Sequence, residues 1–172
     1  MSDSRNYSFE GTVPEISPDA HVSRESTLVG DVTVRADASV WPGVVLRGDV
    51  GPVLVGRQAH VGDNATIHAS AVGARGMIGH GVVLNEATVG DGALVGFNAT
   101  VGTGVEIGAG SIVAGGTVVP EGYAVPPESF VRGVPATVTP LSETSIDAEA
   151  TFEAYNSGDY TDLAGRHDDL FE

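Results

Sequence analysis

The stretch V89-G-D-G-A-L-V-G-F-N-A-T-V-G-T-G-V-E-I107 places an aliphatic residue at every sixth position, and the series Val89, Val95, Val101, Ile107 runs on through Val113 and Val119. Its unit is aliphatic-Gly-x-x-small-x, as in V95-G-F-N-A-T100. A helix would need apolar spacing near 3.6 and would be weakened by this much glycine, while a half-buried strand would alternate at two. Working outward, the same step links Val22, Leu28, Val34, Val40 and Leu46, and a separate register links Val55, Val61 and Ile67.

A period of six suits a parallel β-helix in which each unit makes one short strand and one corner. Aliphatic side chains stack inward, glycine serves the corners, and small residues fill the tight interior. Three units make a coil of about eighteen residues. The pattern resembles the hexapeptide-repeat proteins, and that resemblance implies a left-handed parallel β-helix that usually assembles as a trimer. It extends over about residues 20 to 122 and leaves function open, since acyltransferases, sugar-nucleotide enzymes and carbonic anhydrases share the fold.

The expected division is an N-terminal segment (1–19), a mainly β domain (20–139), and a C-terminal helix with an acidic tail (140–172). Thr144 to Ala154 reads as a helix with Thr144 or Ser145 as N-cap, Asp147 in the first turn, and Ile146, Ala150 and Phe152 among its apolar residues. Gly158 reads as its stop, a further helical turn could begin at Asp162, and the helix is expected to pack on the outside of the coil.

At 172 residues and 41% hydrophobic, the chain can bury a core and is not of disordered composition. No apolar run is long enough to span a bilayer and MSDSRNYSFEG has no signal-peptide core, so a cytoplasmic protein is expected. There is no cysteine, which removes disulfides, thiolate nucleophiles and thiolate metal ligands. The net charge is −15, and all 8 basic residues are arginine. Nucleic acid is a poor partner for such a surface. The lysine-free acidic composition resembles that of cytoplasmic proteins of salt-loving archaea.

Several motifs carry a second resemblance: S39-V-W-P-G-V-V-L-R-G-D49, D63-N-A-T-I-H68, I78-G-H80 and G133-V-P-A-T137. In this order they are similar to the γ-class carbonic anhydrases. That likeness implies Arg47 and Asp49 as the interface-type Arg-Gly-Asp pair, Asp63 as the aspartate before the first ligand, and His68 and His80 as two metal ligands. The third ligand position holds Asn85. The implied cofactor is zinc, with iron or cobalt as alternatives, and the implied reaction is hydration of carbon dioxide to bicarbonate. An amide oxygen is a weaker donor to zinc than imidazole, so this activity is expected to be weak or lost. The family's usual glutamine is absent before Asp63, and Thr137 replaces its terminal lysine.

Spacing adds an expectation of its own. His68 follows inward Ile67 and Asn85 follows Leu84, with 85 − 68 = 17, close to one coil, so the two should lie one above the other. His80 stands at the third position of its repeat and should project elsewhere on the perimeter. A three-ligand site therefore requires His80 from a neighbouring subunit of a homotrimer. Two other functions compete. One is an acyl-CoA-dependent transferase or thioesterase with His80 or His60 as general base, against which stands the lack of a visible basic cluster for CoA phosphates. The other is a non-catalytic trimeric assembly protein. His60 and His21 read as structural or exposed, and Trp41 as packing.

Overall fold

The computed structural model describes residues 5–171; residues 1–4 of the N-terminal segment and Glu172 of the tail lie outside that range. The aliphatic series point inward: Leu28, Val40, Leu46, Val61, Ile67, Val95, Val101 and Val113 are all fully buried in one continuous core. The small residues of each unit, such as Ala59, Ala65, Ala93 and Ala99, complete it. Parallel strands of two to three residues alternate with corners, and successive coils pair in register, for instance His60 with Met77 and Met77 with Leu94.

The coil has three faces. Face I carries the strands His21–Val22, Ser39–Val40, His60–Val61, Met77–Ile78, Leu94–Val95 and Ile112–Val113, and closes on the antiparallel pair Ser129–Gly133 and Ala136–Pro140. Face II includes Thr66–His68, Val83–Asn85, Thr100–Val101 and Val118–Val119, and face III includes Ala71–Val72, Thr88–Val89, Glu106–Ile107 and Ala124–Val125. The strands Thr27–Val34 and Val45–Val55 run across the corner between faces II and III and tie them into one sheet. Asn6–Tyr7 and Glu15–Ile16 pair in parallel with Thr27–Val34, so the N-terminal segment extends the ladder.

The turn chemistry is broader than glycine. Corner residues with positive φ include Asp37, Gln58, Asn64, Arg75 and Asn98 beside glycines such as Gly81 and Gly116. Asparagine and aspartate tolerate this region better than other side chains with a Cβ. Two units lose one residue: the inward positions step by five from Ile67 to Val72 and from Leu84 to Val89, with Ala69 and Glu86 taking the positive φ. His68 and Asn85 immediately precede these shortened corners.

Past Pro140, a 3₁₀ turn at Leu141–Glu143 leads to α1 (Ala148–Ala154), α2 (Ser157–Ala164) and α3 (Asp168–Phe171). This differs from the sequence expectation. Asp147 is the N-cap of α1, its carboxylate accepting from the Ala150 amide at 2.9 Å, and Gly158 lies inside α2, which starts at Ser157 after an Asn156 cap. Asp147 and Asn156 win because each can accept from an otherwise unpaired first-turn amide. The helices cover face I, where Met77, Leu94 and Ile112 pack with Phe130, Ile146, Phe152 and Tyr160.

Candidate functional site

Two corners gather the polar chemistry. On the corner between faces II and III, the register sets Arg47 beside His68 and His68 beside Asn85. The His68 Nδ1 lies 2.8 Å from Asn85 Oδ1, and its Nε2 lies 3.0 Å from Asp49 Oδ1 and 3.1 Å from an Arg47 guanidinium nitrogen. Arg47 Nε reaches Asp49 Oδ1 at 3.2 Å, so this pair closes within the chain. Asn85 donates its amide to Thr103 Oγ1 at 2.9 Å, which fixes the amide orientation and extends the ladder by one coil. Gly48, between Arg47 and Asp49, permits a close crossing: a Cβ there would run into the Asp31 carbonyl. Partial desolvation pushes the Asp49 carboxyl up, but the hydrogen bond from His68, its backbone hydrogen bond and the charges of Arg47 and His68 together hold it below its ordinary value.

The corner between faces I and II carries a second column. Asp63, His80 and Phe97 follow each other at intervals of 17, and backbone bonds stack them: Gly81 N–H to Asp63 O and Asn98 N–H to His80 O, both 2.9 Å. His80 Nδ1 is 2.8 Å from Asp63 Oδ2 and 3.1 Å from the Asp63 amide nitrogen. The Asp63 amide N–H donates to Nδ1 as an aligned hydrogen bond, and the Asp63 carboxylate lies against the same nitrogen as a close ionic contact. With Nδ1 accepting, the neutral ring carries its proton on Nε2; the tautomer with Nδ1–H turned to the carboxylate frees the Nε2 lone pair. Phe97 stacks on the far side of the imidazole, with centroids 5.2 Å apart and planes 14° from parallel. His80 is half exposed, so this base faces solvent.

Among the described residues no group of three or more histidine or carboxylate side chains converges in one chain. His68 and Asn85 belong to one corner and His80 to another, and both ring nitrogens of His68 are engaged by protein groups. One chain does not assemble the donor set.

His60 belongs to neither column. It is 1% exposed, with Nδ1 3.2 Å from Ser39 Oγ, and its ring lies 4.3 Å from Tyr160 and 6.0 Å from Trp41. Burial, and secondarily repulsion from His80, lower its pKa to about 3. It is a neutral wedge under α2. Trp41 also contacts Phe171 and His167 edge-on, and His21 contacts Phe171, so these residues anchor the C-terminal helices. Sequence reasoning passed over Thr103 and Phe97, although spacings of 18 from Asn85 and 17 from His80 put each one coil along.

The fold is the left-handed β-helix of the hexapeptide-repeat proteins, which this chain resembles in its repeat and in its coil architecture. The bacterial transferase hexapeptide family (six repeats) matches residues 86–121. The carnitine operon protein CaiE of Escherichia coli strain SMS-3-5 is 38% identical over 89 residues, 49% of this chain and 45% of that protein. The chain thus spans about half the length of the curated relatives it matches. Two solved structures superpose with a TM-score of 0.87 at 27% identity. One is the BC4754 gene product of Bacillus cereus, assigned provisionally as an acetyltransferase, with 94% of this chain and 95% of that one covered. The other is a hexapeptide transferase family protein of Anaplasma phagocytophilum, with 94% and 97% covered. Among the described residues no helix is long and apolar enough to cross a membrane.

Proposed function

We propose that the protein is an acyl-CoA-dependent acyltransferase with His80 as general base and Asp63 as its positioning residue. The observation that carries this reading is a half-exposed imidazole at His80 with Nδ1 2.8 Å from Asp63 Oδ2 and one face stacked on Phe97, so that Nε2 is the nitrogen presented to solvent. The transferase names of the two full-length structural relatives support it. In the tautomer that holds its proton on Nδ1 beside the Asp63 carboxylate, Nε2 takes the proton of an acceptor hydroxyl or amine as its oxygen or nitrogen attacks the thioester carbonyl. The carbon–sulfur bond then breaks, and the CoA thiolate recovers that proton from the imidazolium, so the acyl ester or amide and free CoA are the products. A homotrimer accords with this reading, since hexapeptide-repeat proteins commonly form trimers.

The test is CoA thiol release from acyl-CoA in the presence of hydroxyl and amine acceptors. His80→Ala should lose about 10²–10⁴-fold in rate. Asp63→Asn should lower kcat with KM little changed, and Asp63→Glu should recover part of the loss. Native release no faster than that of His80→Ala would end the proposal.

One observation favours a second reading, a zinc-dependent carbon dioxide hydratase: His68 and Asn85 are register neighbours while His80 is half exposed on the next corner, so the three could converge only between chains of a trimer. His68 would have to exchange Asp49 or Asn85 for the metal. Metal analysis of native protein and Asn85→His, purified without chelator, decides it. One zinc per chain, bound more tightly by Asn85→His, supports the reading; a metal-free protein in both cases removes it.

A further inference from the structure

Between α1 and face I lies an apolar cavity of about 370 Å³. Its floor is formed by Met77, Leu94, Ile112 and Phe130, and its mouth by Phe97 and Tyr155, whose rings meet edge-on with centroids 6.4 Å apart. Phe97 is also the ring stacked on His80, so the wall of the cavity is one aromatic layer from the proposed base. In the next coil the column of Asp63, His80 and Phe97 reaches Gly115, where Gly116 N–H bonds Phe97 O at 2.8 Å. A Cβ at Gly115 would come within 3.2 Å of the Phe97 carbonyl oxygen, so the glycine lets the two coils approach closely at the edge of the cavity.

We infer that this cavity holds the acyl chain of the substrate, so that the group transferred is a medium-length unbranched chain rather than acetyl. The inference rests on the acyl-transfer reading and names its substrate class. Size supports it: an acetyl group takes up about the space of two waters, ~60 Å³, and would leave most of an apolar cavity empty. A chain of about six to eight carbons would add contacts along Met77, Leu94 and Ile112 in the space the helices leave unfilled. Continuity supports it too, because a thioester carbonyl placed at His80 can send its chain past the edge of Phe97 into the cavity mouth. The lining offers no cation or buried carboxylate, so a charged acyl group is excluded.

The experiment measures binding of CoA, acetyl-CoA, butanoyl-CoA, hexanoyl-CoA and octanoyl-CoA by calorimetry, with octan-1-ol as a probe lacking CoA. Native protein should bind about three- to fourfold more tightly per methylene until the cavity is full. Ala114→Leu, which projects added carbon into the lining, should flatten this dependence and weaken octan-1-ol at least tenfold while leaving CoA alone unchanged. Tyr155→Ala widens the mouth and should move the optimum to longer chains, which guards against a fold defect in the first variant. If CoA binds and affinity is independent of chain length, the cavity is not the acyl site. If CoA fails to bind while octan-1-ol binds and responds to Ala114→Leu, the alkyl site stands and the CoA-dependent reading falls. Absence of both kinds of binding overturns the inference.

Discussion

Acidification should loosen the C-terminal helices through His60. In the folded protein this imidazole is neutral, buried between Trp41 and Tyr160, with its pKa lowered to about 3 from an ordinary 6.5. The unfolded chain therefore binds the proton first. Stability from this residue is fully present above pH ~6.5 and is lost as pH falls toward the folded value. At about pH 5 the unfolded histidine is ~1.5 pH units below its pKa, and at ~1.36 kcal/mol per unit the loss is about 2 kcal/mol. For a chain of this size that corresponds to a melting shift of roughly 4–8 °C. Protonation of the many carboxylates changes stability over the same interval, so the useful quantity is a difference: native against His60→Gln, each unfolded in guanidinium at about pH 7.5 and about pH 5. Native protein should lose about 2 kcal/mol more than the variant across that interval. Equal losses would refute the argument that His60 is buried in its neutral form.

Other consequences follow from the same structure. Ile67→Ala should cost about 2–5 kcal/mol, read from denaturant melts, because Ile67 is fully buried in the coil interior and neighbouring coils cannot close the void. Asp147→Ala should lower the melting temperature modestly, by the equivalent of about 1 kcal/mol, since it removes the side-chain cap on α1. With a net charge of −15, transfer from ~1 M to ~0.1 M salt lengthens the Debye length from ~3 Å to ~10 Å and should lower the melting temperature; an unchanged melt would remove the salt-adapted reading of the composition.

The six-residue period was legible in the sequence because the inward positions of a narrow coil admit little besides aliphatic side chains, and glycine or asparagine marks many of the bends. That signal reaches Leu28, Val61 and Val113 alike, and it placed His68 and Asn85 one above the other, as their paired strands do. The shortened units after Ile67 and Leu84 were hidden by reading strict sixes, and the helix caps by competition among Thr144, Ser145 and Asp147, which only local backbone geometry resolves. What each polar side chain touches was beyond the sequence. Coil spacing brings Asp63, His80 and Phe97 into one column, but the orientation of the imidazole, with Nδ1 on the carboxylate and a face on Phe97, depends on side-chain rotamers and neighbouring coils. The apolar cavity beside them exists only because α1 lies against face I, a contact between segments far apart in the chain. A period records what one coil repeats; a site is made by the side chains that differ from coil to coil and by the helix laid across them.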